Sequence, residues 1–239
     1  MPSFTEQVKV DGQDMSLYVS MPSGTGPFPG VVVIQHGPGM DEFMRTMTDR
    51  LAEAGYAAVA PVLYHRLGPD VPAAQRREQL KDVEIIADVH ATVDYLRQHP
   101  AVDGEHLGIT GFCMGGRVVY LMAAANPYFK AAVAYYGGNI LVPWGAGVAA
   151  PFARTPDLRC PLMFHFGAED QNPSQDDMHT LDAELTRHGK AHEFYPYPNA
   201  GHAFMNFTTA QTYRELAAAT SWPRTLEFFA RHLRRVQAA

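Results

Sequence analysis

The chain has 239 residues, of which 46% are hydrophobic and 18% charged, and its formal net charge is -6. That length and apolar content support a large packed core and exclude a disordered chain. A mildly acidic balance without any Lys/Arg run argues against nucleic acid as a partner, and no apolar run reaches the roughly 18 residues of a membrane span.

In chain order, the first 20 residues read as a hairpin. FTEQVKV and DMSLYVS flank Asp11-Gly12, residue types suited to positive φ. GVVVIQH (30–36) is a short, continuously apolar, β-branched run, as expected of a strand buried on both faces. EFMRTMTDRLAEAG then places Phe43, Met47, Leu51 and Ala54 on one helical face, with Gly55 as the stop. YAAVAP is the next strand. A helix over roughly 78–98 carries Ile85, Ile86, Val89, Val93 and Leu96 at helical spacing. HLGITGF is a strand, and the helix after Cys113 runs to about Ala125. KAAVAYY and CPLMFHF are strands. SQDDMHTLDAELTRHG is a helix, entered through Asn172 as N-cap with Pro173 in its first turn. HEFYPYP is the last strand, and the last helix puts Trp222, Leu226, Phe229 and Leu233 on one face.

The Gly/Pro-rich stretch from Asn139 to Pro161 lies between two strands. It reads as an excursion, because the alternation resumes after it. No repeat or linker divides the chain, so one α/β domain over 1–239 is expected. Strands alternating with helices imply a mostly parallel sheet with helices on both faces, because parallel strands need crossover connections. Sites in such sheets form at the carboxyl ends of the strands.

Gly111-Phe112-Cys113-Met114-Gly115 has the spacing G-x-nucleophile-x-G. A nucleophile on a sharp strand-to-helix turn sits in a strained conformation, and its flanking positions come too close to neighbouring chain for side chains. The N-terminus of the following helix lies beneath it, where partial positive charge favours a thiolate. Serine is usual at this position; here it is cysteine. The base and its orienting group should follow, each after a later strand. CPLMFHF runs into GAEDQNP, which offers Glu169 and Asp170, and local chemistry does not choose between them. HEFYPYP runs into NAGHAF, which offers His202, with Gly201 to let the loop turn sharply. Cys160 begins a strand, carries no motif and reads as a small buried hydrophobe. Two cysteines form no disulfide framework and fit a reducing cytoplasm. MPSFTEQVKV lacks the pattern of a signal peptide, so a cytoplasmic protein is expected.

The G-x-C-x-G elbow, FGAEDQNP and YPNAGHAF together resemble the dienelactone hydrolases, a branch of the α/β-hydrolase superfamily. RLAEAGYAAVAPVLYHR (50–66) and RTLEFFARHL (224–233) are similar to them as well. The resemblance implies the α/β-hydrolase fold and hydrolysis of a small-molecule ester or lactone without cofactor or metal. It implies Cys113 as nucleophile, His202 as base and Asp170 as its partner. The oxyanion donors expected for that chemistry are the backbone N–H of Met114 and that of Gly37.

Two positions depart from the family pattern. His36 stands where the dienelactone hydrolases carry a glutamate near the thiol, and is expected to lie beside the site and shape it. Met205-Asn206 stands where they carry an arginine that grips the substrate carboxylate, and an amide cannot form a bidentate ion pair. Arg76 and Arg77 are candidates for a second anion contact, against the plainer reading of a solvated charged segment. The missing arginine points to a less acidic or neutral ester or lactone. Phe43, Tyr64, Tyr136 and Trp144 are candidate pocket residues from loops at the same sheet edge. Two other readings compete: a broader carboxylesterase or thioesterase, and a non-catalytic binding protein on the same scaffold. The second is disfavoured because all three triad places are filled.

Overall fold

A computed structural model of the chain describes residues 2–68 and 70–234. Its elements in order are β1 (Ser3–Val10), β2 (Gln13–Ser20), β3 (Phe28–Ile34), α1 (Glu42–Glu53), β4 (Ala57–Pro61), α2 (Ala73–Arg76), α3 (Asp82–Gln98), β5 (Val102–Phe112), α4 (Met114–Ala125), β6 (Phe129–Tyr135), β7 (Leu162–Gly167), α5 (Gln175–Arg187), β8 (His192–Tyr197) and α6 (Glu215–Leu233). The eight strands form one sheet in the order β1-β2-β4-β3-β5-β6-β7-β8. The β1/β2 hairpin and the β2/β4 pair are antiparallel; β3 to β8 run parallel. The turn of the hairpin uses positive φ at both Asp11 and Gly12.

The apolar strands are buried on both faces, because successive side chains point to opposite sides of a strand. In β3, Val32 and Ile34 enter one core layer with Val89 of α3, Val118 of α4 and Leu181 of α5. Val31 and Val33 enter the other, with Phe43 and Leu51 of α1 and Phe229 of α6. Helices therefore cover both faces, and the loops after β3, β5, β6, β7 and β8 all emerge at one sheet edge.

Three local expectations need correction. The helix predicted over 78–98 begins only at Asp82. Before it stand the short α2 and a 3₁₀ turn, Arg77–Gln79. Leu80 interrupts the two by taking extended backbone, which buries its side chain. Asn172 does not cap α5. Ser174 does, through a reciprocal capping box with Asp177: the Ser174 hydroxyl accepts from the Asp177 N–H at 3.1 Å, and the Asp177 carboxylate accepts from the Ser174 N–H at 2.9 Å. Gly201 is not the turn residue of its loop. The positive φ values fall instead on Asn199 and Ala203, on either side of it. The 139–161 excursion is irregular apart from a 3₁₀ segment, Pro151–Asp157.

Candidate active site

Cys113 lies between the end of β5 and the start of α4, with φ 57° and ψ -120°. That conformation costs a non-glycine residue on the order of 1–3 kcal/mol. Close packing of the turn enforces it. A Cβ on Gly111 would lie 2.5 Å from the Gly115 carbonyl oxygen. A Cβ on Gly115 would collide with the Ile34 carbonyl and lie 2.8 Å from that of Gln35. Only glycine at both places lets α4 start directly against β3, which brings the loop after β3 to the sulfur.

Three groups meet that sulfur. The His202 ring acts on it, and so do the backbone N–H groups of Met114 and Gly37. Burial pushes the Cys113 thiol up, but His202 and the two amides together outweigh burial, so its pKa lies below the ordinary value of 9.0. For His202, burial opposes the ring charge. The Asp170 and Cys113 interactions overcome it and hold the pKa at about 10. Both shifts act in the direction of a thiolate and an imidazolium.

Between the two carboxylates offered by the sequence, the geometry selects one. Asp170 is buried, and its Oδ2 lies 3.0 Å from His202 Nδ1 while its Oδ1 accepts from the Asn172 N–H at 2.9 Å. Glu169 is exposed. The acid and histidine loops are tied by backbone bonds: Ala168 N–H donates to the Tyr197 carbonyl and Glu169 N–H to that of Ala200, both at 2.9 Å.

The other candidate residues divide. Arg77 and Trp144 line a small cavity, about 40 Å³, with Cys113, Met114, His202 and Asn172. Arg76 does not line it; its Nε donates to the Val71 carbonyl at 3.2 Å. Tyr64 is a brace. Its hydroxyl donates to the Gly37 carbonyl at 2.6 Å and reaches Met114 Sδ at 3.4 Å, so it touches both residues whose amides face the sulfur. Tyr136 is buried with φ 39° and packs edge-on against the His202 ring, centroids 5.2 Å apart. Phe43 lies in the core against Phe112.

His36 turns its ring to Asp41, with Nε2 2.8 Å from Oδ2, and packs against Phe43 at 5.4 Å. Burial keeps its pKa below the ordinary histidine value although Asp41 opposes this, so the ring is neutral at pH 7. Asp41 also caps α1 by accepting from the Met44 N–H. His36 therefore holds the loop whose next residue supplies the Gly37 amide. Asn206 is buried and closes its own turn, its Oδ1 accepting from the Thr208 N–H and hydroxyl. Cys160 is buried and its pKa is pushed up to about 12 by that burial, which leaves an unreactive thiol.

Sequence reasoning missed Asn139 and Asn172 in the cavity wall, and the buried Arg117 behind it. Arg117 carried a signal, because it is the one charged residue in the apolar run of α4. A larger cavity, about 530 Å³, lies elsewhere, between the end of β8 and α6, and neither Cys113 nor His202 lines it. Among the described residues no helix is long and apolar enough to cross a membrane, and no group of three or more His, Cys, Asp or Glu could hold a metal ion.

A mostly parallel sheet with this strand order and an elbow at the end of β5 defines an α/β-hydrolase fold. Residues 15–233 match the model of the dienelactone hydrolase family, and the chain belongs to that family. It is thereby a hydrolase of esters or lactones. A Synechocystis sp. protein named as a carboxymethylenebutenolidase is 32% identical, over 96% of this chain and 98% of its own length. A Bradyrhizobium sp. protein named as a 2-oxo-3-(5-oxofuran-2-ylidene)propanoate lactonase is 30% identical, over 95% of this chain and 93% of its own. The crystal structure of a protein from Klebsiella pneumoniae, titled as a dienelactone hydrolase, is similar with a TM-score of 0.86 and 33% identity, covering 97% of this chain and 100% of that one.

Proposed function

We propose that the chain hydrolyses a small lactone or carboxylic ester through Cys113, His202 and Asp170. The observation that carries this reading is the convergence of His202 and two backbone N–H groups on one sulfur, at a turn strained to present it. The Cys113 thiolate attacks the carbonyl carbon and a C–S bond forms. The carbonyl oxygen takes the charge and is held by the Met114 and Gly37 N–H groups. As the intermediate collapses, the C–O bond breaks and the alkoxide takes a proton from imidazolium His202. In a lactone it stays tethered to the acyl group. His202 then accepts a proton from water, which attacks the thioester, and the C–S bond breaks to regenerate the thiolate. Asp170 fixes the tautomer of His202 and stabilises its charged form.

Arg77 supports an anionic group on the substrate, because it lines the Cys113 cavity. The names of the relatives point the same way. The turn-closing role of Asn206 favours a second reading, a broader esterase or thioesterase acting on neutral substrates. Two unpaired cysteines suit a reducing cytoplasm as its compartment. The test compares kcat/KM on a carboxylated dienelactone and on a neutral short-chain aryl ester, with Cys113→Ala as blank. A preference for the dienelactone that Arg77→Ala abolishes supports the anionic substrate. A preference for the neutral ester supports the second reading. Turnover by Cys113→Ala near the wild-type rate overturns both.

A further inference from the structure

Arg117 is fully buried one helical turn beyond Cys113, and all three of its guanidinium nitrogens are used. Nη1 and Nη2 donate to Asp82 Oδ1 and Oδ2 at 2.6 and 3.0 Å, a fork-to-carboxylate pair. Nη2 also donates to the Val142 carbonyl at 2.6 Å, and Nε to the Asn139 carbonyl at 3.1 Å. The guanidinium stacks on Trp144, 3.8 Å from the ring centroid. Asp82 completes the clamp from the start of α3. Its Oδ2 accepts from the Trp144 N–H at 3.0 Å, and its own N–H donates to the Trp144 carbonyl at 2.8 Å.

The segment so held is 139–144. It has no regular secondary structure; Ile140 anchors its start in the core, but Leu141 and Val142 are 41% and 49% exposed, so the stretch after Ile140 has little apolar burial of its own before Trp144. Such a stretch takes its position in large part from its polar anchors. Its two ends, Asn139 and Trp144, line the cavity at Cys113, and with Arg77 they also line an adjoining depression of about 360 Å³. They therefore stand at the boundary between a tight space at the sulfur and a wider one outside it. The clamp joins the helix that begins beside the nucleophile, the helix that begins shortly after Arg77, and the wall that faces both.

We infer that Arg117 is a positioning residue: through Asp82 it sets the 139–144 wall of the cleft, and so governs substrate affinity without touching the reacting atoms. The inference rests on the Cys113 cavity being the active site. It predicts a division of effects. Loss of the clamp displaces Trp144 and Asn139, which weakens substrate binding. The sulfur, His202 and the two amides are held by other contacts, so the chemistry stays.

The chain has two tryptophans, so Trp222→Phe leaves Trp144 as the only one. In that background Arg117→Met is compared with its parent. The expected result is a rise of about tenfold or more in KM for the short-chain aryl ester with kcat held within about threefold. Trp144 emission shifts to the red and acrylamide quenching increases, while the rate of Cys113 alkylation by iodoacetamide is kept. Arg117→Lys keeps the charge but not the fork, and recovers only part of the affinity. If Arg117→Met fails to fold by circular dichroism, Asp82→Asn is read in its place, because it removes one charge at constant size and should move KM and Trp144 fluorescence in the same directions. Unchanged KM and fluorescence in a folded variant overturn the inference. So does a fall in kcat and alkylation rate that matches the rise in KM, since Arg117 would then act on the nucleophile. Slow alkylation and no turnover in the parent protein would instead overturn the active-site reading itself.

Discussion

Asp170→Asn tests the proposed triad at its least replaceable contact. The substitution keeps size and can keep the bond from the Asn172 N–H to Oδ1. It changes the group facing His202. Oδ2, 3.0 Å from His202 Nδ1, becomes an NH₂ donor, so Nδ1 must turn acceptor and the ring proton moves to Nε2. Nε2 is then already protonated and cannot take a proton from water, and the imidazolium loses its counter-charge. The carboxylate also helps to hold the His202 pKa at about 10 against burial, so its loss lowers the fraction of Cys113 present as thiolate. Loss of the correct tautomer in a triad of this kind costs roughly 10³–10⁴ in kcat, which corresponds to about 4–5.5 kcal/mol of barrier. The assay is steady-state hydrolysis of a chromogenic aryl ester, with iodoacetamide alkylation at pH 7 as a separate measure of the thiolate. Both rates should fall, and Glu169→Gln, an exposed neighbour, should leave both near wild type. A kcat for Asp170→Asn within tenfold of wild type would refute the assignment of Asp170, and a larger loss in Glu169→Gln would transfer the role.

The pH dependence of alkylation follows from the two opposed shifts at the pair. Cys113 is lowered below 9.0 and His202 is raised to about 10, so alkylation should reach its plateau at a lower pH than that of an ordinary thiol. A midpoint in the wild type at or above that of a free cysteine would refute the lowered thiol. His165 contributes to the acid limb of stability. It is fully buried between the Tyr197 and Thr225 hydroxyls, and burial holds its pKa down at about 3. The unfolded chain therefore binds its proton first as pH falls below about 6.5, and stability should drop by about 1.4 kcal/mol per pH unit toward pH 3. Urea unfolding between pH 6 and 4 measures this, and His165→Gln should flatten the slope by that amount. Gly115→Ala should cost about 3 kcal/mol or more, or prevent folding, because its Cβ meets the backbone carbonyls of Ile34 and Gln35. A stable, active Gly115→Ala protein by thermal melt and ester assay would contradict the close packing of the turn. Cys160→Ala should leave turnover unchanged, and Cys160 should resist thiol reagents in the folded protein, as a buried thiol raised to about 12 must.

The parts of this molecule legible in its sequence are those in which one local rule acts alone. Apolar β-branched runs become buried strands because no other element hides both faces of a residue run so short. The elbow is legible because its glycines answer to backbone collisions that any side chain would cause. Legibility fails where the decision is made by residues distant in the chain. Asn172 has the composition of a helix cap, yet its oxygen accepts from the Asn139 N–H at 3.0 Å, 33 residues away, and Ser174 caps the helix with its own neighbour. Arg76 and Arg77 are adjacent and chemically alike; only the fold turns one toward Val71 and the other into the cavity. His36 shows the same limit in a position where the family pattern is broken. The sequence says that a glutamate is missing, but not that the histidine in its place is spent on Asp41. The charge that the missing glutamate leaves unsupplied is therefore not replaced by His36. In the proposed reading the groups that lower the Cys113 thiol are His202 and two backbone amides.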